Sequence, residues 1–348
     1  MRAIAVSTFG ADPALVELPK PEPEAGEVRV RIEYAALNPC DWQAAQGPPD
    51  AGPAPRGFPL VVGVDFAGRV DMIGRGANRF RVGDQVFGRI GDAQDSGRAG
   101  DRVAARAGGP TARAGTYCDY VSVPQDSAIT FVPAGLLLRT AAALPSAGMT
   151  AAQILEIAVL RGHESLLVIG AAGGVGSCLT QLAAARDVRV IAAVRGEEHR
   201  RMAALGATVT IDTTERPLEA AVRESCPDGV DALVDLVSAT PDAFAARAAL
   251  VRTGGIALST RGVAAGAALP ADVTGIDFRL EPSPVLLDVL AAGAAEGVLR
   301  VPIDIELPLE KAPQALDRNR TGGARGKTVI ALSPVVHDVS FGRRVSGT

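Results

Sequence analysis

The stretch Ser165–Arg195, SLLVIGAAGGVGSCLTQLAAARDVRVIAAVR, decides the fold. An apolar run, Leu166–Ile169, enters a glycine-rich turn at Gly170–Gly176. A helix-compatible segment follows to about Ala185, and a second apolar run, Val188–Val194, ends at Arg195. This order predicts one βαβ unit with a phosphate-binding turn in its first connection. Ala171-x-Gly173-x-x-Gly176 has the spacing of the dinucleotide fingerprint, with alanine at the first position. Without a Cβ, Gly173 lets a pyrophosphate approach the backbone, and Gly176 lets the helix pack against the first strand. Ala172, Gly173, Gly174, Val175 and Gly176 are the expected cofactor-binding residues, with the helix N-terminus pointing unpaired N–H groups and a partial positive charge at the phosphates.

The residue ending the second strand distinguishes the two nicotinamide dinucleotides. An acidic residue there would accept from a ribose 2′-hydroxyl. Here the position holds Arg195, with His199, Arg200 and Arg201 following. A carboxylate repels a 2′-phosphate and a guanidinium forks onto it. The expectation is NADP(H), with Arg195 and Arg200 at the phosphate; one of Arg200 and Arg201 is expected on a solvated helix face. Glu197 and Glu198 are expected to face solvent in the first helical turn, where the dipole favours acids.

Outward from this unit, strands alternate with helices. The apolar runs Thr208–Ile211, Val230–Leu236 and Ile256–Ser259 continue the pattern, and Leu136–Leu160 reads as one Ala/Leu-rich helix. Alternation of this kind predicts a parallel sheet covered on both faces. Residues 1–130 read instead as short strands (Arg29–Tyr34, Leu60–Val64, Phe66–Val70, Tyr117–Val123) joined by Gly/Pro turns, an antiparallel region. After about 275 the chain turns Pro-rich, with a helix near Val285–Ala295 and a strand at Thr328–Leu332. Segment 88–115, rich in Gly, Arg, Asp and Ala, is long for a connection. It reads equally as a loop over the active site or as a solvated insertion. Residues 333–348 read as a tail.

Composition narrows the function classes. A length of 348 residues predicts two domains. A net charge of −4 and the lack of a basic run argue against a nucleic-acid partner. The four cysteines have no metal-ligand spacing and no secretory leader precedes them, so free thiols and a cytoplasmic setting are expected. No run of about 18 apolar residues suggests a membrane span.

Further motifs are Ala36-Leu-Asn-Pro-Cys-Asp-Trp42, Val62-Gly-Val-Asp-Phe-Ala-Gly68 with Gly74, Phe80-x-x-Gly83-Asp84-x-Val86, Gly115-Thr-Tyr-Cys-Asp-Tyr-Val121, Ala142-Ala-Leu-Pro145 with Gly148-Met-Thr150, and Ala324-Arg-Gly-Lys327. With the glycine loop, they make residues 1–332 resemble the zinc-independent medium-chain dehydrogenase/reductases of the quinone oxidoreductase, or zeta-crystallin-like, branch. The chain is also similar to the enoyl reductases of polyketide synthases. The resemblance implies an α/β architecture: a GroES-like antiparallel β-barrel domain (1–130 with 276–332) and a Rossmann doubly wound parallel-sheet domain (131–275). The cofactor would lie in the cleft between them.

The resemblance also implies site roles. Thr150, Ser259, Thr260, Phe278 and Leu280 would line the nicotinamide end, and Leu236 and Val237 the adenine-side ribose. Asn38 would bond the nicotinamide side or the substrate oxygen, or else fix its own turn with Pro39. Trp42 and Gln43 would wall the substrate pocket, although several quinone reductases carry Tyr where Gln43 stands. Lys327 would reach a cofactor phosphate or cap the last strand. Relatives are commonly dimers or tetramers, often extending the Rossmann sheet across a two-fold axis; a homodimer is expected here, with the edge strand near Ala257–Arg261.

Catalytic zinc needs about three protein ligands. The three histidines, His163, His199 and His337, all lie outside the β-rich region. Zinc-dependent relatives keep Gly-His-Glu where this chain has Gly63-Val-Asp65. Cys40 and Asp65 would make only a partial site, so no metal is expected. Without a Lewis acid, hydride addition to a carbon conjugated to a carbonyl is easier than reduction of a simple ketone, because charge spreads to the distant oxygen. The expected activity is NADPH-dependent reduction of a quinone or an α,β-unsaturated carbonyl. The alternatives are a tailoring enoyl reductase in natural-product biosynthesis and a non-catalytic NADPH-binding sensor.

Overall fold

The computed structural model describes residues 1–47, 58–91, 115–322 and 324–332. Most of segment 88–115 and all of the tail from 333 lie outside them.

The N-terminal strands are β1 (Arg2–Val6), β2 (Ala14–Glu17), β3 (Glu27–Ala36), β4 (Leu60–Val61), β5 (Asp65–Ile73), β6 (Gln85–Arg89), β7 (Tyr120–Pro124) and β8 (Ile129–Phe131). β1 pairs antiparallel with β2 and β4. β3 is the centre of the larger sheet, pairing antiparallel with β5 and β7. Alternation along β3 puts Val28, Val30 and Ile32 into one core with Phe66, Phe80 and Tyr117. One helix interrupts this region, α1 (Pro39–Gln46), which no apolar periodicity announces. Pro39 opens it, and Asp41 accepts from the Asn38 N–H at 2.8 Å, satisfying a donor just before the first turn.

The expected single helix over 136–160 is two, α2 (Leu138–Ala143) and α3 (Pro145–Ala158). Pro145 has no N–H to continue α2 but suits the first turn of α3. α2 packs on β3, β5, β6 and β16 (Lys327–Ala331). α3 packs on α4 (Gly174–Ala184). The break at Pro145 therefore hands the chain from one sheet to the other.

The second sheet contains β9 (Ser165–Ile169), β10 (Arg189–Val194), β11 (Val209–Asp212), β12 (Val230–Asp235), β13 (Val251–Ser259) and β14 (Thr274–Asp277). Its order is β11-β10-β9-β12-β13-β14, all parallel. This is the 3-2-1-4-5-6 order of the Rossmann fold, with its switch point between β9 and β12. The helices α5 (His199–Ala204), α6 (Leu218–Ser225) and α7 (Pro241–Ala248) connect the later strands. Here one expectation is corrected. The edge strand is β14, not the segment near Ala257–Arg261, because β13 is paired on both sides. β14 was hidden by its length of four residues and by Gly275, where a Cβ would meet the Leu269 side chain at 2.3 Å.

After α8 (Pro284–Ala295) the chain returns to the first sheet. β15 (Ile303–Pro308) pairs parallel with β16, which pairs antiparallel with β3 through Val329–Ala36 and Ile330–Ala35. Between them, α9 (Ala312–Arg320) packs on α1. This return brings Arg325 and Lys327 beside the glycine loop. Among the described residues no helix is long and apolar enough to cross a membrane.

Candidate functional site

The glycine loop joins β9 to α4. Gly170 has φ of 82°, a left-handed conformation that glycine enters without strain. A Cβ on Gly176 would meet Gly170 O at 2.5 Å and Ala171 Cα at 2.6 Å, so the helix must lie against bare backbone here. Gly173 differs: a Cβ there would meet only Gly170 O, at 3.3 Å. Packing requires Gly176, whereas Gly173 opens onto unoccupied space above the α4 N-terminus. These residues fit a dinucleotide pyrophosphate, which can sit over that N-terminus and against Gly173.

Leu236 and Val237 lie against Gly170, where a Cβ would meet Val237 Cγ2 at 2.7 Å. Their turn is held by buried Asp235, which accepts from the N–H groups of Val237 and Ser238, both at 2.8 Å, and pairs with Arg247 at 2.9 Å. Thr260 N donates to Asp235 O at 3.3 Å, and Phe278 N to Ser259 O at 2.8 Å. Ser259, Thr260, Phe278 and the adjoining Leu280 thus gather beyond the carboxyl ends of β13 and β14. Thr150 is buried on α3, about one turn beyond Ala147, whose Cβ faces Gly174.

At the far end of the loop three arginines converge. Arg195 is exposed at the end of β10, its guanidinium close to Gly322. Arg201 donates to Ala172 O of the loop at 2.9 Å and to Arg325 O at 2.8 Å. Arg325 comes from the other sheet, and its guanidinium lies beside Gly196. Arg200 is exposed on the outer side of α5. Glu198 does not face solvent as expected: it is buried and pairs with Arg201 at 2.7 Å and with Arg325 at 3.5 Å. These two cations, one of them from beyond residue 300, outweigh the preference of a first-turn acid for solvent. Two guanidiniums, those of Arg201 and Arg325, share the Glu198 carboxylate, and Arg195 stands exposed at the end of β10, a set of forked donors suited to a phosphate.

Facing the loop from the β-rich unit is a buried polar network. Lys327 Nζ donates to Asn38 Oδ1 at 2.6 Å and to Leu37 O at 2.8 Å, and lies 3.6 Å from Asp65. Asn38 Nδ2 donates to Asp65 Oδ2 at 2.8 Å and to Ala36 O at 3.3 Å. Ser146 Oγ donates to Asp65 Oδ1 at 2.6 Å, and Arg89 Nε donates to Ser146 Oγ at 3.0 Å. The carboxamide of Asn38 is therefore committed to Lys327, Asp65 and its own turn. The head of Lys327 is committed to Asn38 and Leu37, while its stem lies against Gly174, where a Cβ would meet Lys327 Cδ at 2.7 Å.

Beside this network Asp41 and Tyr117 are buried together, Tyr117 Oη donating to Asp41 Oδ2 at 2.6 Å. Desolvation pushes the Asp41 carboxyl up to about 7, opposed by the hydrogen bonds from Tyr117 and Asn38. Burial, together with the Asp41 charge, pushes the Tyr117 phenol well above its usual range. Trp42 and Gln43 are half-buried on α1, and the Arg261 guanidinium lies 5.9 Å from the Trp42 ring centroid.

This donor set does not fit zinc. Both oxygens of Asp65 are taken by Ser146, Asn38 and Lys327, a cation that would repel a metal. Cys40 Sγ is directed to Asp41 Oδ1 at 3.8 Å. Among the described residues no three His, Cys, Asp or Glu side chains form a group able to hold a metal ion.

Sequence reading left open which of Arg200 and Arg201 faces the loop, and Arg325 was missed as its partner. Arg201 sits three residues after Glu198, a pairing distance on a helix. Arg325 had no local signal, since only the return of β16 brings it there.

Two family models match the chain. Residues 24–134 match the alcohol dehydrogenase GroES-like domain and residues 205–330 match the zinc-binding dehydrogenase domain. The chain is 31% identical over 320 residues to 2-methylene-furan-3-one reductase of Solanum lycopersicum, covering 90% of this chain and 74% of that one. It is 33% identical over 295 residues to acrylyl-CoA reductase AcuI of Ruegeria pomeroyi, covering 77% of each. A quinone oxidoreductase from Coxiella burnetii superposes with a TM-score of 0.79 at 26% identity, covering 96% of this chain and 99% of that one. A mycobacterial protein solved in complex with NADPH superposes with a TM-score of 0.77 at 25% identity, covering 95% and 100%.

Proposed function

The chain belongs to the medium-chain dehydrogenase/reductase family, and from that premise we propose that it is a zinc-free, NADPH-dependent reductase of quinones or α,β-unsaturated carbonyl compounds. The observation that carries the cofactor is the arginine cluster Arg195, Arg201 and Arg325 at one end of a dinucleotide loop, where an acidic residue would mark NAD. The relatives named for quinone, furanone and acrylyl-CoA reduction support the acceptor class.

Bound NADPH supplies a hydride, which adds to the β-carbon of an enone or to a quinone; a proton then completes the saturated ketone or hydroquinone. The residues here bind and orient. The α4 N-terminus and Gly173 take the pyrophosphate, and the arginines take the 2′-phosphate. The residues at the ends of β12, β13 and β14 would line the nicotinamide half of the cofactor. Trp42 and Gln43 wall the acceptor side. Asn38 and Lys327 act as positioning residues, since their polar atoms hold the wall of the cleft and each other. With these groups committed, neither Asn38 nor Lys327 is left to deliver the proton. A homodimer through the open edge of β14, in the cytoplasm, belongs to the same reading.

The test is oxidation of NADPH by purified protein against p-benzoquinone, phenanthrenequinone and methyl vinyl ketone, with NADH as the competing cofactor. Turnover preferring NADPH supports the reading. Preference for NADH overturns the assignment of the arginine cluster.

A further inference from the structure

Arg261 differs from Arg201 and Arg247 in having no acidic partner among the described residues. Its backbone N–H donates to Ser259 Oγ at 3.0 Å, which fixes the turn at the carboxyl end of β13. Its side chain then crosses the cleft from the Rossmann unit to α1 and lies over Trp42. Arg201 and Arg247, which also border this cleft, each pair with a carboxylate, at 2.7 Å and 2.9 Å. Among the described residues the Arg261 guanidinium has no hydrogen-bond or ion-pair partner, although the residue is half-buried. The acids of its own neighbourhood are spent elsewhere. Asp235 serves Val237, Ser238 and Arg247, and Asp277 accepts from the N–H groups of Ala264 and Ala265 at 2.8 and 3.0 Å.

A partly desolvated guanidinium with no counter-ion attracts an anion, and its planar fork matches a carboxylate or phosphate. The arginines at the end of β10 already provide for the cofactor's 2′-phosphate, and the α4 N-terminus for its pyrophosphate. Arg261 is on the acceptor side, against the ring that offers a flat conjugated system its apolar face.

We propose that Arg261 selects acceptors that carry an anionic group beside the conjugated carbonyl. This rests on the reductase reading for its chemistry, but the binding part can be tested without turnover. Trp42 is the sole tryptophan of the chain, so its fluorescence reports directly on this corner of the cleft.

The experiment titrates the full-length protein, saturated with NADP⁺, with levulinate and with methyl levulinate, which cannot accept hydride at a conjugated carbon. Levulinate is expected to bind about ten- to a hundredfold more tightly than the ester. In Arg261→Gln the ratio should collapse to about one, and Arg261→Lys should restore part of it. The preference should weaken as salt is added. Equal affinities in the parent protein overturn the proposal, as does a preference that survives Arg261→Gln. So does a loss confined to NADP⁺ affinity.

A kinetic arm compares acetylacrylate with its methyl ester, a pair that differs only in the charge beside the conjugated carbonyl. Selective binding without turnover of any acceptor sinks the reductase reading and leaves the anion site standing. Turnover without charge preference does the reverse.

Discussion

Lys327 Nζ donates to Asn38 Oδ1 at 2.6 Å, joining residues 289 positions apart in the chain. The bond fixes the carboxamide in one orientation, because Nδ2 is then left facing Asp65. It also presses the lysine stem against Gly174 at the start of α4. One side chain thus ties the last strand, the first helix of the β-rich unit and the phosphate loop together.

Removing that cation should be costly. Lys327→Met leaves Asp65 as an uncompensated buried charge and Asn38 Oδ1 without its donor. A loss of about 3 kcal/mol is expected, read as a lower midpoint in urea unfolding with an unchanged slope. A loss below about 1 kcal/mol would mean that the pair contributes little beyond its desolvation.

Asp41 predicts a pH dependence whose sign is fixed by burial. Its folded pKa of about 7 lies above the value of an unfolded aspartate. Between these values the folded state holds a proton that the unfolded state has released, so stability falls as pH rises through that window and levels off above about 7. Asp41→Asn keeps an acceptor for Tyr117 and Asn38 but cannot ionise. Its stability relative to the parent should therefore improve from pH 5 to pH 8, by an amount on the order of a few kcal/mol. A difference that stays flat across that range would show that Asp41 is ionised throughout.

The glycines of the loop should separate packing from binding. Gly176→Ala sets a Cβ against the backbone of Gly170 and Ala171, and should unfold at a markedly lower temperature. Gly173→Ala brings a Cβ to 3.3 Å from Gly170 O alone, a contact that a backbone shift of a few tenths of an ångström relieves, at a φ of −76° open to any residue. It should keep its stability within about 1 kcal/mol while NADPH binding weakens at least tenfold, because the new methyl group occupies the approach to the pyrophosphate. Equal losses of stability in the two variants would contradict this division.

How much of this was legible follows from how local each signal is. β9, the loop, α4 and β10 are one continuous stretch whose glycines and apolar runs carry their own explanation, and the structure places them as read. The alternating strands gave the parallel sheet but not its last member, since four residues around Gly275 carry no strand pattern. α1 was invisible because PCDWQAAQ has no apolar stripe; it forms through Pro39, the Asp41 cap and its packing on α9. The buried Glu198 and the reach of Arg325 depend on the return of the chain after residue 300, which no local pattern predicts. Asn38 was left between a substrate contact and a turn. Its carboxamide instead bonds Lys327 and Asp65, partners that lie far off in the chain and carry no local signal.

Cofactor selection should respond to Arg325 although it lies far from the loop in sequence. Arg325→Ala removes one guanidinium from beside Gly196 and from Glu198. The KM for NADPH should rise about tenfold and that for NADH should change little, as expected for a lost charge-assisted contact to the 2′-phosphate. Equal increases for both cofactors would indicate that Arg325 only supports the fold of the loop.

The central claim is most directly tested by following the absorbance of the reduced nicotinamide as purified protein is given p-benzoquinone, phenanthrenequinone or methyl vinyl ketone, with NADPH or NADH and with or without EDTA. The account predicts turnover that prefers NADPH and is indifferent to EDTA. Turnover abolished by the chelator and restored by zinc would contradict it, as would tight NADPH binding with no acceptor consuming it.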